Sequence, residues 1–329
     1  MLKRNRFSFF SILLVVLSIS QITFAKKEKK KKYAIHPKAQ SEALKEKSGK
    51  VKLSNFYWQS PNGRITMVPF FDFTYFKTEG TFITGSLTGR PFSVTGQIYR
   101  AGADVEYGMF KGHSIGGGAS YQVLSTDEDV SSHTGIEDIR LYFKGHWKVS
   151  TFVFHYGLKS EISPGDKTDD GQGNSNAFSG GYSLGPYMGI SKNFGGGAGG
   201  LHLSYKYRGE RTTARTTTTL SVDSTIEGGH EFAIFAFYES RMKSMDLGFE
   251  TGFFSTSEKT FKDPTKTNPA PEAGETSFIL GAYFPYKMSK EIKLIPRGRF
   301  TTYLDDQLGD QKFDTRWLMS LGIDARITF

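Results

Sequence analysis

The sequence predicts an all-β fold: a single antiparallel, up-and-down β-barrel of about twelve strands that crosses a membrane. Three observations favour this fold. Apolar and polar residues alternate with period 2 in stretches that recur from residue 64 onward. The segments between these stretches are short and long in turn. The chain also ends on an alternating strand, 317–329, whose last residue belongs to the apolar face.

Twelve stretches carry the alternation and predict the strands in chain order. They are 64–76, 97–110, 114–125, 136–147, 150–159, 183–193, 200–208, 231–240, 244–254, 277–286, 291–303 and 317–329. Side-chain directions stay open in 231–240 and 277–286, where both faces are apolar. Long polar loops are expected at 77–96, 126–135, 161–181, 209–229, 256–275 and 304–314. Long loops on one rim and tight turns on the other are typical of bacterial outer-membrane barrels, with both termini on the periplasmic rim.

Closure of the barrel follows from the properties of lipid. Acyl chains offer no hydrogen-bond partner to backbone groups, so a spanning β structure must pair its first strand with its last. We therefore expect 317–329 to pair with 64–76. A soluble, secreted β-sandwich also gives period 2, but it does not explain the alternating loop lengths.

The N-terminal region precedes the barrel in two parts. Residues 1–25 place three cations before a short apolar stretch, which predicts a secretory signal peptide. Residues 26–60 predict a flexible, lysine-rich periplasmic leader, and residues 61–329 the barrel. The net charge of the chain is +9. The excess of basic over acidic residues lies before residue 53, and the rest of the chain is nearly neutral. The run Lys26–Lys32 lacks interleaved aromatics, so an anionic periplasmic polymer, and no nucleic acid, is its expected partner.

The absence of cysteine excludes several kinds of site. A disulfide framework, a thiolate metal site, a cysteine nucleophile and a lipidated N-terminal cysteine are all ruled out. The G-x-G-x-x-G pattern at 195–200 links two strands and opens no helix, so it predicts a turn rather than a nucleotide site. We predict no cofactor and no metal.

Two segments resemble known families. The ending, Phe329 preceded by Ile327, Ala325, Ile323 and Leu321, resembles the C-terminal signature of Gram-negative outer-membrane proteins. It implies that outer-membrane lipid surrounds the barrel and that the barrel-assembly machinery reads Phe329 as an assembly signal. The segment GIEDIRLYFK at 135–144, with YGLK at 156–159 and SPGD at 163–166, resembles porin-like barrels associated with the MetA pathway of phenol degradation. Glu137 stands where that pattern has its second glycine; the resemblance implies uptake of small solutes, including apolar or aromatic ones.

Charged residues between the apolar positions are expected to face the lumen, because a midplane Lys or Arg on the lipid side costs about 2–4 kcal/mol. The predicted lumen-lining set is Arg100, Asp104, Glu106, Asp138, Arg140, Lys144, Lys206, Arg208, Asp246, Glu250, Lys293, Arg297, Arg299, Asp324 and Arg326. These charges either line a water-filled path or pair across the lumen and close it.

The sequence thus predicts a monomeric, porin-like channel for passive diffusion of small solutes, gated by its long outer loops. A non-conducting structural or adhesive barrel that displays its loops is the alternative.

A catalytic function is the second alternative, and we predict no catalytic residue. His202 and Ser204 share a lumen face at i, i+2 spacing and could act as base and nucleophile in a lipid hydrolase or lipid-modifying enzyme. However, their strand contains no carboxylate to orient the histidine. His155 and Lys159 share the lumen face of another strand, where isolated polar residues are expected in any case.

Overall fold

The structure is a computed structural model that describes residues 53–84, 87–110, 112–127, 132–169, 174–194, 196–216, 221–241, 245–262, 270–272, 274–308 and 311–329. The predicted signal peptide and the predicted leader up to residue 52, including Lys26–Lys32, lie outside the described residues. Within the described residues, no helix is long and apolar enough to cross a bilayer.

Twelve long antiparallel strands form the wall of a closed barrel. They are β1 (Ile65–Phe82), β2 (Pro91–Phe110), β3 (His113–Thr126), β4 (Ile139–Val149), β5 (Phe152–Ile162), β6 (Tyr182–Phe194), β7 (Gly197–Arg208), β8 (Gly229–Arg241), β9 (Asp246–Thr256), β10 (Thr276–Tyr283), β11 (Ile292–Tyr303) and β12 (Gln311–Thr328). Each strand pairs with the next, and β12 pairs with β1. The prediction of an all-β, twelve-stranded barrel is confirmed.

The predicted closure between the first and last strands is also confirmed. Thr66 lies opposite Thr328, and the backbone N of Phe329 donates to the backbone O of Ile65 at 2.9 Å. The last residue of the chain is therefore part of the barrel's hydrogen-bond network. This explains why the alternation continues to the end of the sequence.

The outer surface of the wall is apolar, as the period-2 pattern predicts. Val105, Leu141 and Phe253, for example, are 50%, 47% and 48% exposed on this surface. In 231–240, whose directions the sequence leaves open, Tyr238 faces outward while Phe237 is buried inside. An exposed apolar surface that surrounds a closed wall is the surface that lipid covers.

Three strands continue beyond the membrane. β1, β2 and β12 contain 18, 20 and 18 residues, whereas about 9–11 residues span a bilayer. The predicted long loop at 77–96 is therefore wrong, because β1 and β2 occupy most of it. Outside the membrane a strand can be polar on both faces, so period 2 ends before the strand does. Part of the connection after β7 is also a hairpin, in which Arg211–Thr216 pairs with Ser221–Ile226.

Candidate functional site in the barrel lumen

Residues 53–60 lie inside the barrel, and we call them the lumen segment. Most of them are buried, namely Ser54, Asn55, Tyr57, Gln59 and Ser60. The wall residues that they contact lie toward the rim where β1 begins and β12 ends, such as Glu239 near the end of β8 and Asp246 at the start of β9. The lumen segment therefore crosses the lumen near the predicted periplasmic rim.

Asn55 joins the lumen segment to four strands. Its backbone N donates to Oε2 of Glu239 at 2.8 Å, and its Nδ2 donates to Oδ2 of Asp246 at 3.0 Å. Its Oδ1 accepts from Nζ of Lys293 at 2.8 Å, and its backbone O accepts from Nη2 of Arg326 at 3.1 Å. Hydrogen bonds to charged groups contribute about 1.5–3 kcal/mol each. Since every polar group of Asn55 has a charged partner, this residue is a strong polar anchor of the segment.

Tyr57 packs between two histidines of the wall. Its ring stacks on His155, with the ring centroids 3.7 Å apart. Its hydroxyl donates to the backbone O of Leu201 at 2.8 Å and lies 3.1 Å from Nδ1 of His202. Because the hydroxyl has a single proton, Nδ1 of His202 carries the proton of the second bond. Burial raises the pKa of Tyr57 above its ordinary value, so the hydroxyl stays a neutral donor at physiological pH.

Phe56 and Trp58 present aromatic surface to the lumen. The ring of Phe56 is stacked on that of Phe237, with centroids 4.5 Å apart and an interplanar angle of 1°. The guanidinium of Arg326 lies 4.8 Å from the ring centroid of Trp58. Contacts of these types add to the apolar area that the residues bury.

Gln59 and Ser60 fix the end of the segment that leads into β1. Oε1 of Gln59 lies 2.6 Å from Nδ1 of His146. The backbone N of Ser60 donates to Oε1 of Glu106 at 2.8 Å, and Nζ of Lys144 donates to Oε2 of the same carboxylate at 2.6 Å. Glu106 is 1% exposed, and both of its oxygens have partners, as a buried carboxylate requires.

The lumen segment belongs to the region predicted as a flexible leader, 26–60. The part of the predicted leader that the structure describes, 53–60, is packed inside the barrel. The predicted boundary between leader and barrel at residue 60 therefore differs from the structure. The physical reason is the run of three aromatics at 56–58, because burying them removes a large apolar area from water. That run, directly before the first strand, is the sequence signal that indicates a packed segment.

The charged residues predicted to line the lumen are paired or hydrogen-bonded in the structure. The ion pairs are Arg100 with Glu137, Arg140 with Asp104 (2.9 Å), Lys144 with Glu106 (2.6 Å), Lys206 with Glu161 and Glu231 (3.1 Å each), Arg208 with Glu231, Lys293 with Asp246 (3.9 Å), Arg297 with Asp72 and Asp324 (2.8 and 3.0 Å), and Arg299 with Glu250 (2.5 Å). Asp138 accepts from the backbone N of Ser179 at 2.9 Å, and Arg326 binds Asn55. The pairing reduces the net field that a permeating ion would meet.

Several partners in these pairs were not predicted. They are the carboxylates Asp72, Glu137, Glu161 and Glu231. Glu239, which accepts from the backbone N of Asn55, was not in the predicted set either. Glu231 and Glu239 lie in the stretch whose side-chain directions the sequence leaves open. Asp72 follows the same alternation as the predicted set, and this pattern was sufficient to find it.

Three of the cavities that the described residues enclose lie in the lumen. The large cavity, of 590 Å³, is lined by Asp72, Arg100, Arg297 and Arg299 among others. The middle cavity, of 330 Å³, lies beside Trp58, Tyr142, Lys159 and Arg326. The small cavity, of 200 Å³, lies beside Tyr57, His155, Lys159 and Tyr187. Phe56 lines all three, so the lumen segment forms part of the boundary of each.

The histidines of the lumen serve the packing of the segment. His202 contacts Tyr57, and its predicted partner Ser204 makes no hydrogen bond to it in the described residues. Nε2 of His155 does lie 2.9 Å from Oγ of Ser191, but both residues are 3% exposed and the imidazole lies under the ring of Tyr57. Among the described residues, neither histidine contacts a carboxylate. The geometry therefore lacks an accessible nucleophile and an oriented base.

Comparisons with known proteins bear on the fold. No family model matches the sequence, and no curated protein sequence matches it. A COG4313 outer membrane channel from Pseudomonas putida F1 is similar in structure, with a TM-score of 0.58 and 11% identity over 84% of this chain and 100% of that chain. The protein has the fold of bacterial outer-membrane β-barrels. This confirms the predicted fold, and the resemblance to Gram-negative outer-membrane proteins and the predicted location agree with it.

Other outer-membrane β-barrels align with it less well. The toluene transporter TodX of Pseudomonas putida gives a TM-score of 0.40 with 8% identity, over 82% of this chain and 90% of that chain. The outer membrane protease OmpT of Escherichia coli gives 0.34 with 9% identity, over 84% of this chain and 100% of that chain.

The segment that resembles the MetA-associated barrels lies partly on the lumen side of this outer-membrane β-barrel. Gly135 has a backbone φ of 146°, which few other residues adopt. Glu137 replaces the second glycine of the pattern, and its carboxylate binds Arg100 and Ser120. Glu137 thus adds an ion pair to the lumen where the pattern has a glycine. The resemblance to the MetA-associated barrels stays a prediction.

Arg297 holds two carboxylates together at the closure of the barrel. It lies on β11 between Asp72 of β1 and Asp324 of β12. Changing Arg297 to leucine leaves these carboxylates unpaired, and we expect the free energy of unfolding to fall by about 1–3 kcal/mol, less than for a fully buried pair because Arg297 is 40% exposed. Urea unfolding in lipid vesicles measures this change. The double variant Arg297→Leu/Asp324→Asn should recover part of the loss, and equal instability of the two variants would contradict the bridging role.

Proposed function

We propose that this outer-membrane β-barrel is a channel for passive diffusion of small solutes that contain an apolar or aromatic part. The observation that carries the proposal is the set of cavities within the closed wall, each of which is lined in part by the lumen segment. The fold similarity to a protein described as an outer membrane channel supports the same function.

The chemistry of the cavities supports amphipathic solutes. The large cavity is lined mainly by charged and polar side chains, which favour a hydrated solute. The middle cavity shares Phe56 with the large one and adds Trp58 and Tyr142, whose rings favour an apolar or aromatic group. A solute that passes from one to the other meets both kinds of surface, and volumes of this size suit small molecules.

The lumen segment is the proposed gate of the channel. It crosses the lumen toward the periplasmic rim, so a solute that has entered from the outer side must pass it. Its contacts are hydrogen bonds and ring contacts that can be broken without unpairing any strand. This proposal puts the gate in the lumen segment, whereas the sequence suggested the long outer loops.

Solute flux tests the proposed function. Proteoliposomes that contain the mature chain, residues 26–329, should take up a phenyl glucoside, which crosses lipid slowly, faster than protein-free vesicles do. A variant with a released lumen segment, Asn55→Ala, should take it up faster still. A folded barrel that leaves the vesicles impermeable in both forms would overturn the proposal.

A non-conducting structural or adhesive barrel remains the alternative function. The pairing of the lumen charges and the position of the lumen segment favour it. The Asn55→Ala variant separates the two functions, because a structural barrel has no need of a lumen that opens when the segment is released. The proposed channel function requires no catalytic residue, and His202 bonds to Tyr57 rather than to Ser204 among the described residues.

Phe329 is the proposed assembly signal for the barrel-assembly machinery. Its side chain is 63% exposed, and its backbone N completes the closure with Ile65, which any residue at 329 would preserve. Phe329→Ser is therefore expected to reduce the amount of heat-modifiable, folded barrel in outer-membrane fractions without lowering refolding in detergent. Phe194→Ser, at an aromatic that is 48% exposed near a short turn of the same rim, is the control and should accumulate normally. Equal accumulation of both variants would contradict the assembly role.

Binding of an anionic polymer through Lys26–Lys32 stays a prediction.

A further inference from the structure

Lys159 differs from the neighbouring lysines of the lumen. Lys144 and Lys206 each lie within 3.1 Å of a carboxylate oxygen. Within the described residues, no Asp or Glu lies at ion-pair distance from Nζ of Lys159, whose resolved contact is with the ring of Tyr187, 5.4 Å from its centroid. The side chain is exposed, and it lines both the middle and the small cavity. It therefore presents a free positive charge to the space inside the barrel.

The nearby carboxylates are already engaged. Glu161 lies two residues farther along the same face of β5, but its Oε2 accepts from Nζ of Lys206 and from Oγ of Ser183, both at 3.1 Å. Glu106 accepts from Lys144 and from the lumen segment. Among the described residues Lys159 thus has no carboxylate at ion-pair distance, and Arg326, the other such cation of the middle cavity, donates to the backbone O of Asn55.

The small cavity has the lining that an organic anion requires. Its lining includes two lysines, two histidines and four aromatic residues, and no Asp or Glu. The ring of Tyr187 lies flat against the wall over Gly157, where an added Cβ would meet it at 2.4 Å. The ring of Tyr142 lies in the same way over Gly116, at 2.5 Å, in the adjoining middle cavity. These glycines let the two rings lie against the wall on either side of Lys159, on β6 and β4.

We propose that Lys159 anchors a small organic carboxylate with an aromatic or apolar body inside the lumen. The carboxylate pairs with Nζ of Lys159, and the body packs against Tyr187 and Phe56. A monoanion fits because a carboxylate taken out of water needs a partner, and a second negative charge would find none. That this ligand is also a transported solute rests on the proposed channel function.

Ligand binding to the folded mature chain in detergent micelles tests the site. Benzoate and benzyl alcohol are the probes, because they share the ring and differ in the charge, and calorimetry measures their affinities. We expect benzoate to bind at least about tenfold more tightly than benzyl alcohol. In Lys159→Met this preference should disappear, whereas Lys159→Arg should retain it.

Lys192→Met is the matched control. Nζ of Lys192 also lies over an aromatic ring, 5.3 Å from the centroid of Phe152, but on an exposed side chain at the short-turn end of β6. This variant should keep the preference for benzoate. Equal affinity of the wild-type protein for the two probes, or a preference that survives Lys159→Met, would overturn the proposal.

Flux of the phenyl glucoside in the same preparations separates the two proposals. Selective benzoate binding without any flux would overturn the channel and leave the carboxylate site standing. Flux without a preference for benzoate would overturn the carboxylate site alone.

Discussion

Changing Asn55 to alanine is expected to raise the single-channel conductance of the refolded mature chain severalfold. The substitution removes the bonds from Nδ2 to Asp246 and from Lys293 to Oδ1, each of about 1.5–3 kcal/mol. The wall tolerates this loss, because Lys293 and Asp246 already lie 3.9 Å apart and can pair with each other. The lumen segment loses both side-chain bonds of Asn55 and keeps its other contacts, such as those of Tyr57 and Gln59, so it should leave its place for a larger fraction of the time.

Planar-bilayer recordings measure this effect, and Asn62→Ala is the control. Asn62 lies just beyond the lumen segment and is exposed, so its loss should leave the conductance unchanged. Since the chain contains no cysteine, a thiol at position 54 reports the position of the segment independently. Ser54 is 1% exposed, and Ser54→Cys should react slowly with a maleimide until Asn55→Ala is added. Faster labelling without higher conductance would show that the released segment does not limit the current.

The wall of the barrel could be predicted from the sequence because lipid imposes local rules. The outward positions must be apolar, which gives period 2, and the first and last strands must pair, which gives the closure between Thr66 and Thr328. Where the chain leaves the membrane these rules end. The outer halves of β1 and β2 therefore read as a loop, although they continue the sheet.

The contents of the lumen were less predictable, because they depend on packing between distant residues. Phe237 faces inward because Phe56, far away in the chain, stacks on it. A strand that faces lipid on one side and an aromatic segment on the other is apolar on both sides. The ambiguity of 231–240 was thus a sign that something apolar lies inside the barrel, and the aromatics at 56–58 were available to fill that place.

The charged residues show the same division. Alternation was sufficient to put Arg297 and Asp324 in one predicted set, since both lie between apolar neighbours. The pairing of Arg297 with both Asp324 and Asp72 depends on the register between β11, β12 and β1, which no local pattern gives. The free charge of Lys159 could not be predicted for the same reason. It depends on which cations the neighbouring carboxylates bind, and the register decides this.

Changing Gly189 to alanine is expected to lower the free energy of unfolding by about 1–3 kcal/mol, as overpacking does. An added Cβ would lie 1.8 Å from the Tyr57 hydroxyl oxygen and 2.7 Å from the backbone O of Leu201. Neither neighbour moves freely, because Leu201 is part of β7 and Tyr57 is stacked on His155. Urea unfolding in lipid vesicles, followed by the heat-modifiable mobility of the folded barrel, measures the loss.

A double-mutant cycle with Tyr57→Ala assigns the loss to the lumen segment. The two atoms nearest to the added methyl group belong to the tyrosine ring and its hydroxyl, so Gly189→Ala should cost less without them. Gly298→Ala is the control in a spanning strand, because its Cβ would lie 3.4 Å from the nearest heavy atom and should cost little. An equal cost at the two glycines, or an unchanged cost in Tyr57→Ala, would mean that Tyr57 does not lie against β6. A coupling between the two positions would locate the ring there in the membrane-embedded protein, which conductance measurements alone cannot do.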